Sequence, residues 1–535
     1  MPKNVSYRRR KMKKILTIAL VLMLSLSMLC AEGNKESSSS KNKLVDIELW
    51  YGAAVTEAGP IPSDWEGYQI VKDKLGINLK LVALPSSDSD QDVKIQAAGA
   101  GNTLPDVFMV SRPVLTNLVK QGLVAPLGED FFAKMPNRTA KYHDQDSINH
   151  ASFNGKNWGM SIPSSTVGVE VFAIRKDWLD NLGLEVPTTL DELYDVMYAF
   201  TYNDPDGNGK NDTYGYGAFI ESNSTFKGYP GARLWPIMGA FDVPGLWDFR
   251  EDHLGLTIYN PEFYNFMEFL SKMINNGVID PNWITYKKDD FRAAWKQGKF
   301  GMMYESWAAL SAESNYLPFD MNFPEGEWIT INPPVGETGT AYVGALDKAY
   351  RIYAVSAKDA KNQEKMDAIA RLFDWFGTDE GYYLLGYGVE GKNYVMNEKG
   401  VPTVGDLGEN SFVGMKGQVM TQLRNIVYFN TSQELAGRFP DYYAKNSGKL
   451  ISPIKYCIAA EEGPWKNTIG SGIMPTPNAD VMRFYEQGLA EFIAGSKNLT
   501  PENWEKFISD FNKMGGKAWN DEGVAFAKQQ NLVTK

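Results

Sequence analysis

The chain is 535 residues long, 43% hydrophobic and 22% charged, values of a soluble globular protein with room for two large domains or roughly three or four smaller ones. Its 54 Lys and Arg stand against 65 Asp and Glu, a formal charge of -11, which is the wrong sign for a nucleic-acid partner. Two cysteines cannot build a disulfide scaffold and three histidines leave little for a zinc site, while 13% aromatic residues supply both a core and surfaces suited to ring-shaped ligands.

The chain opens as an address. RRRKMKK at 8–14 precedes an apolar run that ends at Leu29, too short for a good membrane span and right for a secretory signal. Met12 is itself a plausible start. Cys30 follows at once, then a Ser-rich stretch to residue 43, so residues 1–29 are read as signal peptide and 30–43 as a lipidated cysteine with a flexible tether. Leu29 departs from the small residue usual before such a cysteine. Removing 1–29 takes away seven Lys/Arg and no acid, which moves the formal charge from -11 to -18.

VDIELW at 45–50 alternates as a strand does. Ser63 and Glu66 predict a capping box opening a helix that ends near Gly76. Ile77, Leu79 and Leu81 alternate again, a helix runs through IQAAGAG, and DVFMV reads as a buried parallel strand. Strand alternating with helix implies an α/β lobe with a parallel sheet, whose ligand edge is the carboxyl ends of the strands, here Trp50-Tyr51-Gly52 and Ser111-Arg112-Pro113. A second lobe opens near Pro163, with EVFAIR as a strand and a capping box at Thr189 and Glu192. Strand character returns over 341–357, an amphipathic helix follows through MDAIARLFDWFG, and Thr500-Pro501 starts the last clear helix.

Several segments in one order carry a resemblance: LPDVFMVSRPVLTNLVKQGLVAPL (104–127), GKNWGMSIP (155–163) leading to VFAIRKDWLDNLGLEVPTTLDEL (171–193), FRAAWKQGKFGMMYESW (291–307), and LFDWFGTDEGYYLLGYGVEGKNY (372–394). Over most of 44–520 the chain resembles the extracellular solute-binding proteins of bacterial ABC importers, of the sugar-binding type. The resemblance implies a two-lobed α/β fold of the periplasmic-binding-protein kind, with a hinge and a ligand cleft between the lobes. Residues 44–162 with 344–395 would form lobe one, and 166–340 with 400–535 lobe two. Crossings are expected near 163–166, 341–348 and 395–400. It further implies a monomeric, lipid-anchored receptor outside the cell membrane that delivers a sugar or oligosaccharide to permease subunits, with no catalysis.

Candidate ligand residues follow. Sugar rings lie well on Trp and Tyr, which singles out Trp50 and Tyr51 at a strand end, Trp158 before a crossing, Trp235 in GARLWPIMGAF, and Trp307, where the family places a stacking aromatic. Arg112 at a strand end offers a guanidinium fork to hydroxyls or a carboxylate, and Glu390 in GVEGKNY offers an acceptor. DPDGNGKND at 204–212 sets Asp204, Asp206, Asn208, Lys210 and Asp212 at positions 1, 3, 5, 7 and 9 of an EF-hand-like calcium loop, with Gly215 where a bidentate Glu would stand. Such loops resemble those of the family's alginate-oligosaccharide branch, and a structural Ca²⁺ is expected. GYGVEGK fits a phosphate-loop pattern, but Asn393 replaces the Ser/Thr that would hold Mg²⁺ and the motif follows a helix. The competing reading is a surface-anchored polysaccharide hydrolase or lyase, since 65 acids offer many carboxylate pairs.

Overall fold

The computed structural model describes residues 44–52, 60–85, 87–143, 145–162, 169–221, 227–346, 351–414, 416–417, 420–427 and 432–535. The signal segment, Cys30 and the tether lie outside them.

The first lobe begins with β1 (Val45–Gly52), α1 (Glu66–Leu75), β2 (Ile77–Leu84), α2 (Asp88–Ala100), β3 (Val107–Val110), α3 (Arg112–Lys120), the short α4 (Gln145–Ala151) and β4 (Met160–Ile162). Alternation decides β1: Val45, Ile47, Leu49 and Tyr51 are buried, while Asp46, Glu48 and Trp50 take the half-open face. All four residues of β3 are buried, each worth about 1.5–3 kcal/mol of apolar transfer, as suits a central strand. α1 stops at Gly76, whose φ of 67° is a left-handed cap. The predicted box at its start is absent. The helix begins at Glu66 itself, behind Trp65, so Ser63 stands too far upstream to cap it, and Lys392 holds the Glu66 carboxylate at 2.6 Å.

The chain then builds the second lobe: β5 (Glu170–Arg175), α5 (Leu190–Tyr202), β6 (Tyr214–Gly217), α6 (Lys288–Lys296), β7 (Phe300–Ser306), α7 (Trp307–Ser311), β8 (Trp328–Thr330) and β9 (Gly344–Leu346). Here the predicted box is present. Thr189 Oγ1 accepts from Glu192 N at 3.3 Å, and Glu192 Oε2 from Thr189 N at 3.1 Å. The helix buries Leu193, Val196, Met197 and Phe200 on one face. The single predicted strand at 341–357 is two short ones, β9 and then β10 (Arg351–Val355), which serve different lobes.

After β10 come α8 (Gln363–Phe376), α9 (Asp379–Tyr387), α10 (Met420–Val427), α11 (Ser432–Arg438) and β11 (Trp465–Asn467), the partner of β9, and the chain ends in three helices. The first sheet runs β2-β1-β3-β10-β4, with β1, β2 and β3 parallel and β10 antiparallel to its neighbours. The second runs β8-β5-β7-β6. Each sheet has its own hydrophobic core. Two α/β lobes are thus built around two sheets.

The passages between them are set by packing. Phe412, Leu423, Ile426 and Val427 bury in the first core, and Asn425 Nδ2 donates to Gly52 O at 2.9 Å. The stretch 400–427, expected in lobe two, therefore packs in lobe one, and the third passage falls after Val427 rather than at 395–400, with Leu435 buried in the second lobe's core. Arg438 donates to Gly386 O and lies over the rings of Tyr387 and Phe412, at 4.5 and 5.0 Å, in the first lobe. Four residues on, Tyr442 donates its hydroxyl to Ser311 O at 2.8 Å in the second.

Candidate functional site

Chain length brings two sheet edges together. β4 ends at Ile162, opposite Arg351, where β10 begins. The parallel strands β1 and β3 end at this same edge. In the second sheet β6 and β7 run parallel to Gly217 and Ser306, and the antiparallel β5 starts at Glu170, opposite Ser306. Five residue steps join Leu346, on a strand packed against the second-lobe core, to Arg351 at the edge of the first sheet, so these two residues lie within about 18 Å, the reach of an extended chain. Ligands of open α/β sheets bind beyond such carboxyl ends.

The second-lobe edge is charged and paired. Arg233, 5% exposed, donates Nη2 to Glu170 at 2.9 Å and to Glu221 at 3.3 Å, and Nη1 to Tyr304 O at 2.7 Å. Its Nη1 stands 3.6 Å from Glu305. Arg292 grips the two oxygens of Glu305 at 3.0 and 3.2 Å, and Lys227 holds Glu221 at 3.1 Å. Burial alone would raise the Glu221 carboxyl, but Lys227 and Arg233 outweigh it and hold it down at about 2. Burial likewise opposes ionisation of Glu305, and Arg292 and Arg233 reverse the sign. The guanidinium of Arg233 is in turn raised, because Glu221, Glu170 and Glu305 overcome its desolvation. None of these six charges was singled out from sequence. The signal was faint: Glu305 breaks an apolar strand at its last turn inward, and Arg233 sits two residues before Trp235.

An aromatic floor adjoins them. A Cβ built on Gly344 of β9 would come within 2.7 Å of the Trp235 ring, 2.8 Å of Trp465 and 3.0 Å of the Tyr304 hydroxyl, so only glycine lets the crossing strand lie on these rings. Trp235 is 4% exposed and donates Nε1 to Lys227 O at 3.2 Å. Trp307 begins α7 directly after β7, is 5% exposed, and meets Phe439 edge-on with centroids 5.0 Å apart.

The first-lobe candidates are dispersed. Trp50 donates Nε1 to Glu48 at 2.8 Å beneath the Lys94 ammonium, whereas Tyr51, one residue on, points into the core. The strand's period of two separates the pair. Arg112 is occupied by the protein: it donates to the carbonyls of Asn149, His150 and Ser152 at the end of α4, and burial lowers its guanidinium to about 10. Its fork is closed over a helix terminus, where a cation is favourable. It lies over Phe153, which stacks on Trp158 at 5.8 Å, and Trp158 donates Nε1 to Phe153 O. Glu390 is exposed in a turn bridged to Tyr394.

The loop at 204–212 closes on itself. Asp204 accepts from Asn208 N at 3.0 Å and Gly209 N at 2.9 Å. Asn208 Nδ2 donates to Asp206 at 2.8 Å and Asp212 at 3.2 Å, and its Oδ1 accepts from Lys210 N at 2.8 Å. Burial, with Asp204 and Asp212 close by, raises the Asp206 carboxyl. The donor types fit a hard cation, with carboxylates of Asp204, Asp206 and Asp212 around one amide. Among the described residues, however, no three His, Cys, Asp or Glu converge as a metal site, because the Asn208 amide stands between the carboxylates.

Comparison with known proteins accords with this architecture. The profile of the bacterial extracellular solute-binding protein family matches residues 64–383. The chain is 27% identical over 402 residues to the polygalacturonan/rhamnogalacturonan-binding protein YtcQ of Bacillus subtilis strain 168, covering 72% of this chain and 74% of that one. It is 26% identical over 345 residues to the fructooligosaccharide ABC transporter substrate-binding protein FusA of Streptococcus pneumoniae, over 58% of this chain and 61% of that one. The solved structure of S. pneumoniae FusA in complex with kestose superposes with a TM-score of 0.65 at 17% identity, covering 92% of this chain and all of that one. A structure of the same protein described as an EF-hand mutant gives 0.64. Two lobes on two sheets, joined at their facing edges, together with a profile that spans most of the chain, place this protein in the bacterial extracellular solute-binding protein family.

Proposed function

We propose that this protein is an exported, lipid-anchored receptor that binds an oligosaccharide between its lobes and delivers it to the transmembrane subunits of an ABC importer, without catalysis. The observation that carries the reading is the edge of lobe two, where the partly exposed Trp465, backed by the buried Trp235 and Tyr304 around Gly344, lies with a cluster of hydrogen-bonding charges. Flat apolar rings with a few oriented polar groups are what a sugar requires. YtcQ and FusA, both named for saccharides, support the same class. Trp307 is assigned to the ligand side as well, positioned by Phe439. Closing the lobes on a sugar would make binding and hinge motion one equilibrium.

We assign the loop at 204–212 to a structural Ca²⁺ held by Asp204, Asp206, Asp212 and the oxygen of Asn208 after its amide turns over, with the Lys210 carbonyl completing the set. The FusA structure named as an EF-hand mutant supports it, since that name places an EF-hand in the relative. Calcium would supply charge neutralisation and a fixed turn, nothing more.

Calorimetric titration of the purified protein with a panel of saccharides tests the receptor reading, followed by chromatography of the recovered ligand. Saturable binding with the ligand recovered at its original length is expected. A shortened product would establish a hydrolase or lyase instead.

A further inference from the structure

The charges at the lobe-two edge bear on which saccharides the site accepts. Glu170, Glu221 and Glu305 face Arg233, Arg292 and Lys227, and every one of the six makes an ion pair within the set, from 2.9 Å between Arg233 and Glu170 to 3.6 Å between Arg233 and Glu305. Three carboxylates and three cations cancel. A ligand carboxylate needs a guanidinium or ammonium with donors to spare. Arg233 spends both terminal nitrogens on Glu170, Glu221 and Tyr304 O, and its Nε is buried. Arg292 gives Nε and Nη2 to the two oxygens of Glu305, which neutralises its charge. Lys227 is engaged by Glu221. Across the cleft, Arg112 is closed over three backbone carbonyls. Among the described residues of this edge every exposed cation is already neutralised by a carboxylate, while the Glu170 and Glu221 side chains keep 19% and 15% of their surface exposed with lone pairs left for hydroxyl donors.

Resting on the receptor reading above, we propose that the lobe-two edge selects uncharged oligosaccharides against uronates, with Glu170 and Glu221 as the residues that set this preference. Their carboxylates accept hydroxyl hydrogens from a neutral sugar and repel the carboxylate of a uronate. They do this while neutralising the cations that a uronate would otherwise use. The chain's own negative charge, -18 beyond the signal segment, opposes the approach of a polyanion at longer range.

The test is calorimetric titration of the purified protein with neutral tri- and tetrasaccharides and with trigalacturonate, at low and at high salt. A neutral ligand should bind with an affinity that salt does not move, and trigalacturonate should bind roughly tenfold more weakly or less. Glu221→Gln frees one positive charge at the edge, and it should narrow that gap by roughly tenfold, about 1.4 kcal/mol. Should that variant fail to fold, Glu170→Gln removes the same charge from the same Arg233 guanidinium and carries the same expectation. Trigalacturonate binding as tightly as any neutral sugar would overturn the preference and leave the receptor reading intact. Binding of no saccharide would overturn both.

Discussion

The ring of Phe439 meets Trp307 edge-on at 5.0 Å and 82°, and the residue before it, Arg438, is bonded to Gly386 O in the other lobe. A side chain at the carboxyl-end edge of the lobe-two sheet is thereby coupled through one peptide bond to lobe one. Phe439→Ala should weaken saccharide binding and cost about 1 kcal/mol of stability, the worth of an aromatic pair beyond its burial. Trp307→Ala, at 5% exposure, should cost about 3 kcal/mol of stability as well as affinity. Denaturant melts with and without ligand separate the two effects. An unchanged affinity in both variants would remove Trp307 from the site.

Arg112 should matter to stability and little to ligand choice. Arg112→Ala uncovers the carbonyls of Asn149, His150 and Ser152, each an acceptor that loses its donor, and a loss of about 1–3 kcal/mol is expected. A melt of the variant and a titration with the wild-type ligand check this together.

Lys466 marks a second buried ionic site. It lies on β11 beside the crossing strand, donates to Asp248 at 2.7 Å and to Asp242 O at 2.6 Å, and is fully enclosed. Arg250 pairs with both aspartates. Removing one member of such a cluster leaves charge uncompensated, so Lys466→Met should destabilise by roughly 3–5 kcal/mol. A denaturant midpoint unchanged from the wild type would show that the cluster tolerates the loss.

The calcium assignment predicts that chelation lowers the melting temperature and that added calcium restores it, by about 2.7 kcal/mol at a hundredfold excess over Kd. Asp206→Asn should abolish the response, because Asp206 is the carboxylate crowded by its acidic neighbours. A chelator-insensitive melt would leave the loop as a turn closed by its own Asn208 bonds.

Much of the fold is legible in local pattern. The alternation of β1, the Thr189 box and the Thr500-Pro501 helix start depend on neighbours within a few residues, and the structure carries them as read. Ser63 deceived because a capping box needs the helix to start one residue after its serine, and here the start is set by Trp65 packing on Gly67 and Tyr68. The site is less legible. Glu170, Glu221, Arg233 and Glu305 are brought together from four separate segments, and only the sheet's topology makes them neighbours. Tyr51 looked equivalent to Trp50 at the strand end, but the pleat sends one inward and the other out. The lobe boundary near 400 was misplaced for the same reason, since Asn425 reaches back to Gly52 across 373 residues.

The charge cluster also fixes a pH dependence. Glu221 titrates at about 2 in the fold, below its ordinary value of 4.5, because Lys227 and Arg233 outweigh the cost of burying it. A carboxylate lowered on folding contributes stability that is fully present above its unfolded value and is lost as the pH falls toward its folded value. Glu305 is lowered in the same direction by Arg292 and Arg233. The cluster is therefore ionised throughout neutral and mildly acidic solution, and it should impose no change on stability or ligand affinity between about pH 5 and 8. Below about pH 4.5 its contribution should decline, and near pH 2, where Glu221 is half protonated, most of it should be lost. The informative quantity is the difference in melting temperature between the wild type and Glu221→Gln, which cancels the carboxylates elsewhere in the chain. That difference should be constant from pH 8 to about 5 and shrink steadily as the solution is acidified further. A difference that shrinks already between pH 8 and 6 would mean that a group other than this carboxylate governs the cluster.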